Sequence, residues 1–385
     1  QNLQNLRLAR FWLRWKRLFM LRVEIAARSF YQLLPTSTNF VRRVPLRAQM
    51  SGGNATPSKR KMGKKIGTHD GTFHCDEALG CFLLQRTKEF EGAEIVRSRD
   101  PAVLAEADVV IDVGAVYDPA TNRFDHHQKG FSEVFGHGHV TKLSSAGLVY
   151  KHYGKEIVAR VLELEETDPN VNKIYLKVYK SFIEAVDAVD NGISQWESDQ
   201  PPKYTNSTDL SGRVGKLNPH WNEEWNAAVL YERFLSAKTL AGVEFLDSVN
   251  YFGKVWLPGR KHVVEAIEGR HAVHASGEIL QLGQYCPWKE HLYELEQELK
   301  VEPPIKYCLY EDGTGKWRIQ TVSVGPGSFE NRRGLPKAWR GVRDADLDAL
   351  TGVPGSIFVH AAGFIGGHKT LDGARAMAFK ALEIE

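Results

Sequence analysis

The chain has 385 residues, 42% of them apolar and 25% charged, a length and balance that suit a globular protein of two domains, each with its own core. No stretch holds the roughly eighteen uninterrupted apolar residues of a membrane-spanning helix, so the body reads as soluble, with no membrane partner. The net charge of +3 hides an asymmetry: residues 1–65 carry fifteen Lys and Arg against the single acid Glu24, leaving 35 basic and 46 acidic residues. The acidic body argues against a broad basic face, and any polyanion it binds must meet local basic groups or metal ions.

The first fifty residues are rich in Arg, Leu and aromatics, and "LARFWLRWKRLFMLRVEIAARSF" can form a helix with one basic and one apolar side. That is the composition of a mitochondrial transit peptide; the plainer reading is that the natural start is Met50. "PSKRKMGKK" reads either as a nuclear-localisation cluster or as a solvated linker. Residues 1–65 are thus expected to be a targeting leader and linker, which points to the mitochondrial matrix and the nucleus. Cys75, Cys81, Cys286 and Cys308 include no Cys-x-x-Cys pair and are too few for a disulfide framework, which fits a reducing compartment.

From Lys65 the pattern changes. "KKIGTHDGTFHCDEALGCFLLQ" predicts a strand end, a Gly-rich loop and an amphipathic helix with Ala78, Leu79, Phe82 and Leu83 inward. "AEIVRSRD" and "ADVVIDVG" are apolar, β-branched runs ending in polar loops, as buried parallel strands do. Two helices follow, "SSAGLVYKHYGKEIVARVLE", capped by Ser144 or Ser145, and "VNKIYLKVYKSFIEAVDAVD". This alternation predicts a doubly wound, mostly parallel α/β domain over residues 66–254. A loop from Asn191 to Trp221 and a long helix lead to a boundary near residue 255. Beyond it "SGEILQL", "IKYCLYED" and "GKWRIQTVSV" read as strands, "KEHLYELEQEL" as a helix, and "GSIFVHAAGF" and a last helix from Asp372 close a smaller α/β domain, residues 255–385.

Four clusters of acids and histidines fall at the ends of these elements. They are His69, His74 and Asp76; Asp112, directly after "VVI"; the triplet Asp125, His126 and His127; and Asp187 with Asp190, three apart on one helical face. Singly each has a plainer reading: His74 as a loop or core histidine, Asp112 as a helix cap, Asp187 or Asp190 as a solvated carboxylate. Together they sit where α/β sheets hold their ligands, at the C-terminal ends of strands. Mixed imidazole and carboxylate ligands without thiolate suit Mn²⁺, Fe²⁺, Co²⁺ or Zn²⁺, and six or seven of them exceed one tetrahedral site, which implies two ions sharing a carboxylate. Cys75 lacks a second thiolate and reads as packing. Two such cations activate water and clamp the oxygens of an in-line phosphoryl displacement, so the implied substrate is a phosphate ester. In "VHAAGFIGGHKT", Gly363, Gly366, Gly367 and His368 read either as an anion-gripping turn or as an ordinary tight turn. "ENRRGLPKAWRG" sets Arg332, Arg333, Lys337 and Arg340 around Trp339, a pattern able to follow a single RNA strand.

In order, "THDGTFHCDEAL", "VVIDVG", "DHH" and "VDNG" resemble the four motifs of the DHH phosphoesterase superfamily, and "GFIGGH" resembles its C-terminal Gly-Gly-Gly-His turn. "FDHHQ", "TKLSSAGLVY", "EAVDAVDNGISQW" and "CPWKEHLY" are similar to the MYG family, named for melanocyte proliferation, over residues 66–380. The resemblance implies a metal-dependent 3′ to 5′ RNA exonuclease of nucleus and mitochondria, with its active site in the cleft between the two domains and two divalent ions, Mn²⁺ foremost, Mg²⁺ or Co²⁺ otherwise. It implies that His69, His74, Asp76, Asp112, His126 and Asp190 hold the metals, with Asp112 bridging and Asp187 the alternative to Asp190. The catalytic group would be Asp112, Asp125, His126 and His127. His127 would touch the scissile phosphate, and Gly366, Gly367 and His368 the substrate; Arg340, from the basic segment read above, is a further candidate for substrate binding. His74 is a departure, since the superfamily has Asp there and one residue fewer after the first ligand. Two other readings stand beside this one: a small-molecule phosphohydrolase, and a metal-binding regulatory protein without turnover.

Overall fold

The computed structural model describes residues 63–195 and 204–384; residues 1–62, which hold most of the expected leader and linker and the first part of the basic cluster, lie outside them. The first sheet is built from β1 (Lys65–Thr68), β2 (Glu94–Arg97), β3 (Val109–Ile111), β4 (Tyr117–Asp118) and β5 (Arg123–Phe124), in the order β2-β1-β3-β5-β4. β1 pairs in parallel with β2 and β3, and β3 with β5; only β4 runs antiparallel. All three residues of β3 are buried, as an apolar run at the centre of a parallel sheet must be. The chain winds from β1 to β2 on one side and returns to β3 on the other. The C-terminal ends of β1, β3 and β5 therefore lie side by side at a topological switch point.

Two helices pack on this sheet, α1 (Cys75–Leu84) and α3 (Ser145–Leu162), and α7 (Ala227–Tyr251) packs on both of them, with a short α2 (Pro101–Ala105) between β2 and β3. The expected amphipathic α1 is buried on every side, because α3 and α7 both pack on it above the sheet. Ser144 caps α3, accepting from the Gly147 amide. A hairpin of β6 (Val134–Gly136) and β7 (His139–Lys142) precedes α3. The second expected helix is two, α4 (Pro169–Val178) and α5 (Glu184–Asp190), joined by a wide π turn at Tyr179–Ile183. The stretch expected to be loop contains α6 (Leu210–Gly215), capped by Asp209.

α7 passes through a second π turn, Phe252–Trp256, into α8 (Leu257–Glu268). The apolar core changes along this helix: Trp256 belongs to the first core and Val263 to the next. After a short α9 (Arg270–Val273), a second sheet forms from β8 (Ile279–Gln281), β9 (Tyr307–Glu311), β10 (Trp317–Thr321), β11 (Ser356–Val359) and β12 (Ile365–His368), in the order β11-β12-β10-β9-β8. Its strands are antiparallel except for β8 beside β9. Alternate residues of β9 face different cores: Cys308 and Tyr310 meet α10 (Trp288–Glu298), while Tyr307 and Leu309 join the core that holds Ala374, Met377 and Ala378 of α12 (Leu371–Glu383). Before β11 lies α11 (Asp344–Thr351).

The expected Gly-Gly-His turn is corrected here. Gly366, Gly367 and His368 are β12, an inner strand of the second sheet, and the turn is made earlier, at Gly363 with φ of 72°. A Cβ on Gly367 would lie 2.6 Å from Arg318 Nη1 and 3.0 Å from Phe358 Cε1, so the missing side chain serves packing between strands. His368 is buried; its Nε2 donates to the Pro354 carbonyl at 2.9 Å and its Nδ1 accepts from the Thr370 amide at 2.9 Å, which closes the entry to α12. Most of the basic segment expected to follow RNA is also spent on folding, Lys337 alone of its named residues remaining exposed. Trp339 is core, Arg332 makes a two-pronged pair with Glu296 at 2.6 and 2.7 Å, Arg333 donates to the Ala381 and Ile384 carbonyls, and Arg340 Nε donates to Leu335 O at 2.9 Å.

Candidate metal centre

The three neighbouring strand ends of the first sheet each deliver a candidate ligand. β1 delivers His69, β3 delivers Asp112, and β5 delivers Asp125, His126 and His127. Asp112 and Ala115 adopt left-handed backbone, with φ of 56° and 54°, a conformation uncommon outside Gly. The first turn of α1 adds His74, Asp76 and Glu77, and the end of α5 adds Asp190. Three sets of ligand atoms, each within 4.8 Å of one another, result: His69, His74 and Glu77; Asp112, His126 and His127; Asp76, His126 and Asp190.

Asp112 lies between these sets. Its Oδ2 is 3.4 Å from His69 Nε2, while its Oδ1 is 3.6 Å from His126 Nε2 and 3.4 Å from His127 Nδ1. His126 Nε2 in turn is 3.0 Å from Asp190 Oδ2 and 3.8 Å from Asp76 Oδ2. Asp76 is fully buried and accepts the first amides of α3, from Ser145 at 3.0 Å and Ala146 at 2.5 Å, where the helix dipole favours an anion.

Two ring tautomers follow from the neighbours. His69 Nδ1 donates to the Asp70 carbonyl at 2.9 Å, which leaves Nε2 as the nitrogen free for a cation. His127 Nδ1 is held by Asp125 Oδ1 at 2.8 Å, and Asp125 is itself fixed by amides of Ala115 and His127. Asp125 thus orients His127, whose side chain is 61% exposed on the cavity.

Asp187 and Asp190, equivalent in the sequence, differ in place. Asp187 is fully buried and accepts from the Ser144 amide at 3.0 Å, the Ser144 hydroxyl at 2.8 Å and the Tyr179 hydroxyl at 3.0 Å. A Cβ on Gly147 would fall 2.1 Å from its Oδ1, so only glycine lets this carboxylate approach α3. Asp187 pins α5 to α3, and Asp190 faces His126.

The charge balance of the site fits cations. Asp76, Glu77 and Asp112 are buried together, and burying like charges without compensation is costly. Burial disfavours the charged form of His69 and His126, but Asp112 with Glu77, and Asp112 with Asp190, outweigh it and push both up to about 10. For Asp112 burial acts upward, yet His126 and His69 bring it down to about 2. Burial, then Asp190 and Asp112, hold Asp76 well above the usual carboxylate range. Asp112 Oδ1 and His126 Nε2 are buried and face one another without a well-formed hydrogen bond, a gap that a cation between them would fill.

A cavity of about 930 Å³ opens on these groups. Its far wall comes from Asn206, Ser207, Asp209 and Ser211, around the helix that sequence reasoning missed, and Arg99 is the one Lys or Arg that lines it among the described residues. Gly366, Gly367, His368 and Arg340 do not line it. Cys75 does, but burial pushes its thiol up to about 12, in keeping with packing. Glu77 also escaped sequence reasoning. It accepts the His74 amide at 3.0 Å and faces His69 Nε2 at 3.1 Å, and the signal for it was its place three residues after His74, where a capping glutamate sits.

The family model MYG1_exonuc, described as an uncharacterised protein family (UPF0160), matches residues 65–382. The chain belongs to this family. Two MYG1 relatives cover nearly the same span. A MYG1 protein of Dictyostelium discoideum is 47% identical over 82% of this chain and 96% of its own length. The MYG1 exonuclease of Mus musculus is 50% identical over 82% of this chain and 83% of its own. Among solved structures, an exonuclease RecJ bound to manganese aligns over 83% of this chain and 91% of its own, at 13% identity and a TM-score of 0.22, too loose a superposition to inform the site.

Proposed function

We propose that this MYG1 family member is a metal-dependent phosphodiesterase that removes nucleotides from the 3′ end of RNA. The observation that carries the reading is Asp112, whose two oxygens face His69 on one side and His126 and His127 on the other, as a carboxylate shared by two cations must. His69, His74 and Glu77 would hold one ion, and Asp76, His126 and Asp190 the other, with Asp112 common to both. Carboxylate and imidazole ligands suit Mn²⁺, with Mg²⁺ or Co²⁺ as the alternatives. Such ions supply water activation and neutralise charge on phosphoryl oxygens. The chain's own part is to hold the ligands in register around the cavity and to present His127, oriented by Asp125, to a phosphate oxygen as hydrogen-bond donor. The exonuclease name of the mouse relative supports the substrate class.

A second reading, hydrolysis of a small phosphate ester, is favoured by one observation: Arg332, Arg333 and Trp339 are occupied within the fold and do not offer an RNA track. End-labelled RNA oligomers, pyrophosphate and mononucleotides incubated with Mn²⁺ separate the two. The first reading predicts stepwise loss from the 3′ end; hydrolysis of the small esters alone overturns it. In the same reading the Arg-rich leader directs the chain to the mitochondrial matrix and the basic cluster to the nucleus. A reporter fused to residues 1–65 that stays diffuse in the cytosol counts against that part.

A further inference from the structure

The loop that carries His69 and His74 is held by its backbone. Arg97 Nε donates to the His69 carbonyl at 3.1 Å and its Nη2 to the Gly71 carbonyl at 2.9 Å, while its guanidinium lies 4.5 Å from the Phe234 ring. The far end of the loop is held from 145 residues away. Asn218 Oδ1 accepts the Phe73 amide at 3.0 Å and Asn218 Nδ2 donates to the Phe73 carbonyl at 2.8 Å. Phe73 is fully buried, packed edge-on against Phe234, and the next residue is His74, whose own amide goes to Glu77.

Asn218 also closes the segment that makes the far wall of the cavity. Its amide donates to the Gly215 carbonyl at 3.2 Å, and its Nδ2 does so at 3.2 Å. Arg233 Nη1 donates to the Asn218 carbonyl at 3.3 Å. One side chain therefore ties the wall holding Asn206, Ser207, Asp209 and Ser211 to the backbone that aims His74. Only a carboxamide offers a donor and an acceptor at this spacing; a carboxylate would answer the Phe73 amide and leave the Phe73 carbonyl unpaired.

We infer that Asn218 is a positioning residue for the metal loop, setting the direction of His74 and coupling it to the opposite wall. It touches neither substrate nor cation. The inference rests on the two-metal reading above, and its loss would show first in metal affinity, at the ion held by His69, His74 and Glu77, and then in turnover. The substrate's own affinity would follow less.

The test compares the wild-type chain with Asn218→Ala, Asn218→Asp and, as control, Arg233→Ala. Calorimetric titration with Mn²⁺ alone is read beside kcat and KM on an RNA oligomer. Asn218→Ala is expected to weaken one of two Mn²⁺ affinities at least tenfold and lower kcat with KM changed less than threefold. Asn218→Asp should fold, and should fall between it and wild type. Arg233→Ala, which spares both bonds to Phe73, should titrate as wild type. Should Asn218→Ala fail to fold, Asn218→Asp with wild-type Mn²⁺ affinity overturns the proposal, as does equal weakening by Arg233→Ala. A wild-type chain that binds no Mn²⁺ would instead overturn the two-metal reading itself.

Discussion

Oδ1 of Asp112 stands 3.6 Å from Nε2 of His126, while the other oxygen of the same carboxylate stands 3.4 Å from His69. Asp76 is held by the amides of α3, Glu77 by the His74 amide and Asp125 by the amides of Ala115 and His127, so none of these three is free to take this place. Asp112→Asn is expected to keep the fold, lose at least one Mn²⁺ equivalent in calorimetry and lose turnover by three orders of magnitude or more. Near-normal turnover under saturating Mn²⁺ would remove the bridging role.

The adjacent histidines should separate. His126 is buried, with Nε2 facing Asp112 and Asp190, and His127 is exposed and held by Asp125. His126→Ala should lose metal and activity together, while His127→Ala should retain metal and lose about 100-fold or more in kcat, in the range of a positioned proton donor. Asp125→Asn should follow His127→Ala, since it acts through that ring. Metal content by atomic emission and single-turnover rates check all three.

Asp187 and Asp190 give opposite results in the same way. Burial pushes the Asp187 carboxyl up to about 7, with the Ser144 and Tyr179 hydrogen bonds pulling down. A carboxyl whose folded pKa lies above its unfolded value favours the fold at low pH. That stability is fully present below about pH 4 and is lost as pH rises toward 7. Asp187→Asn, which keeps an acceptor for Ser144, should bind Mn²⁺ normally, and in metal-free protein its stability relative to wild type should increase from pH 4 to 7. Asp190→Asn should instead lose metal. Chemical denaturation in chelator at several pH values checks the first, and titration the second.

Much of the first sheet was legible because its signals are local. "VVI" reads as a buried strand wherever it pairs, and the acids and histidines stand directly at the strand ends. The preference for Asp190 over Asp187 came from the family resemblance and not from spacing, since both lie on one helical face and it is the approach of α3 at Gly147 that separates them. Glu77 was hidden because an acid in a helix's first turn needs no metal to explain it. The wall around α6 was hidden for another reason: its residues read as loop, and what docks them is a single long-range carboxamide at Asn218. The Gly-Gly-His stretch misled because glycines suggest a turn, whereas here Gly367 makes room for Arg318 and Phe358 across strands.

That difference changes what Gly367→Val should do. The added side chain would meet neighbouring strands, so the expected result is destabilisation of the second sheet by about 1–3 kcal/mol, typical of overpacking. His368→Ala should likewise lower stability through the loss of its bonds to Pro354 and Thr370. Unfolding midpoints unchanged in both variants, with KM raised, would return these residues to substrate binding.

The central claim is that two cations share Asp112, and anomalous scattering at the manganese edge from crystals soaked in Mn²⁺ tests it most directly. Two peaks are predicted, one among His69, His74 and Glu77, the other among Asp76, His126 and Asp190, with Asp112 between them. A single peak, or two peaks of which neither touches Asp112, would contradict it.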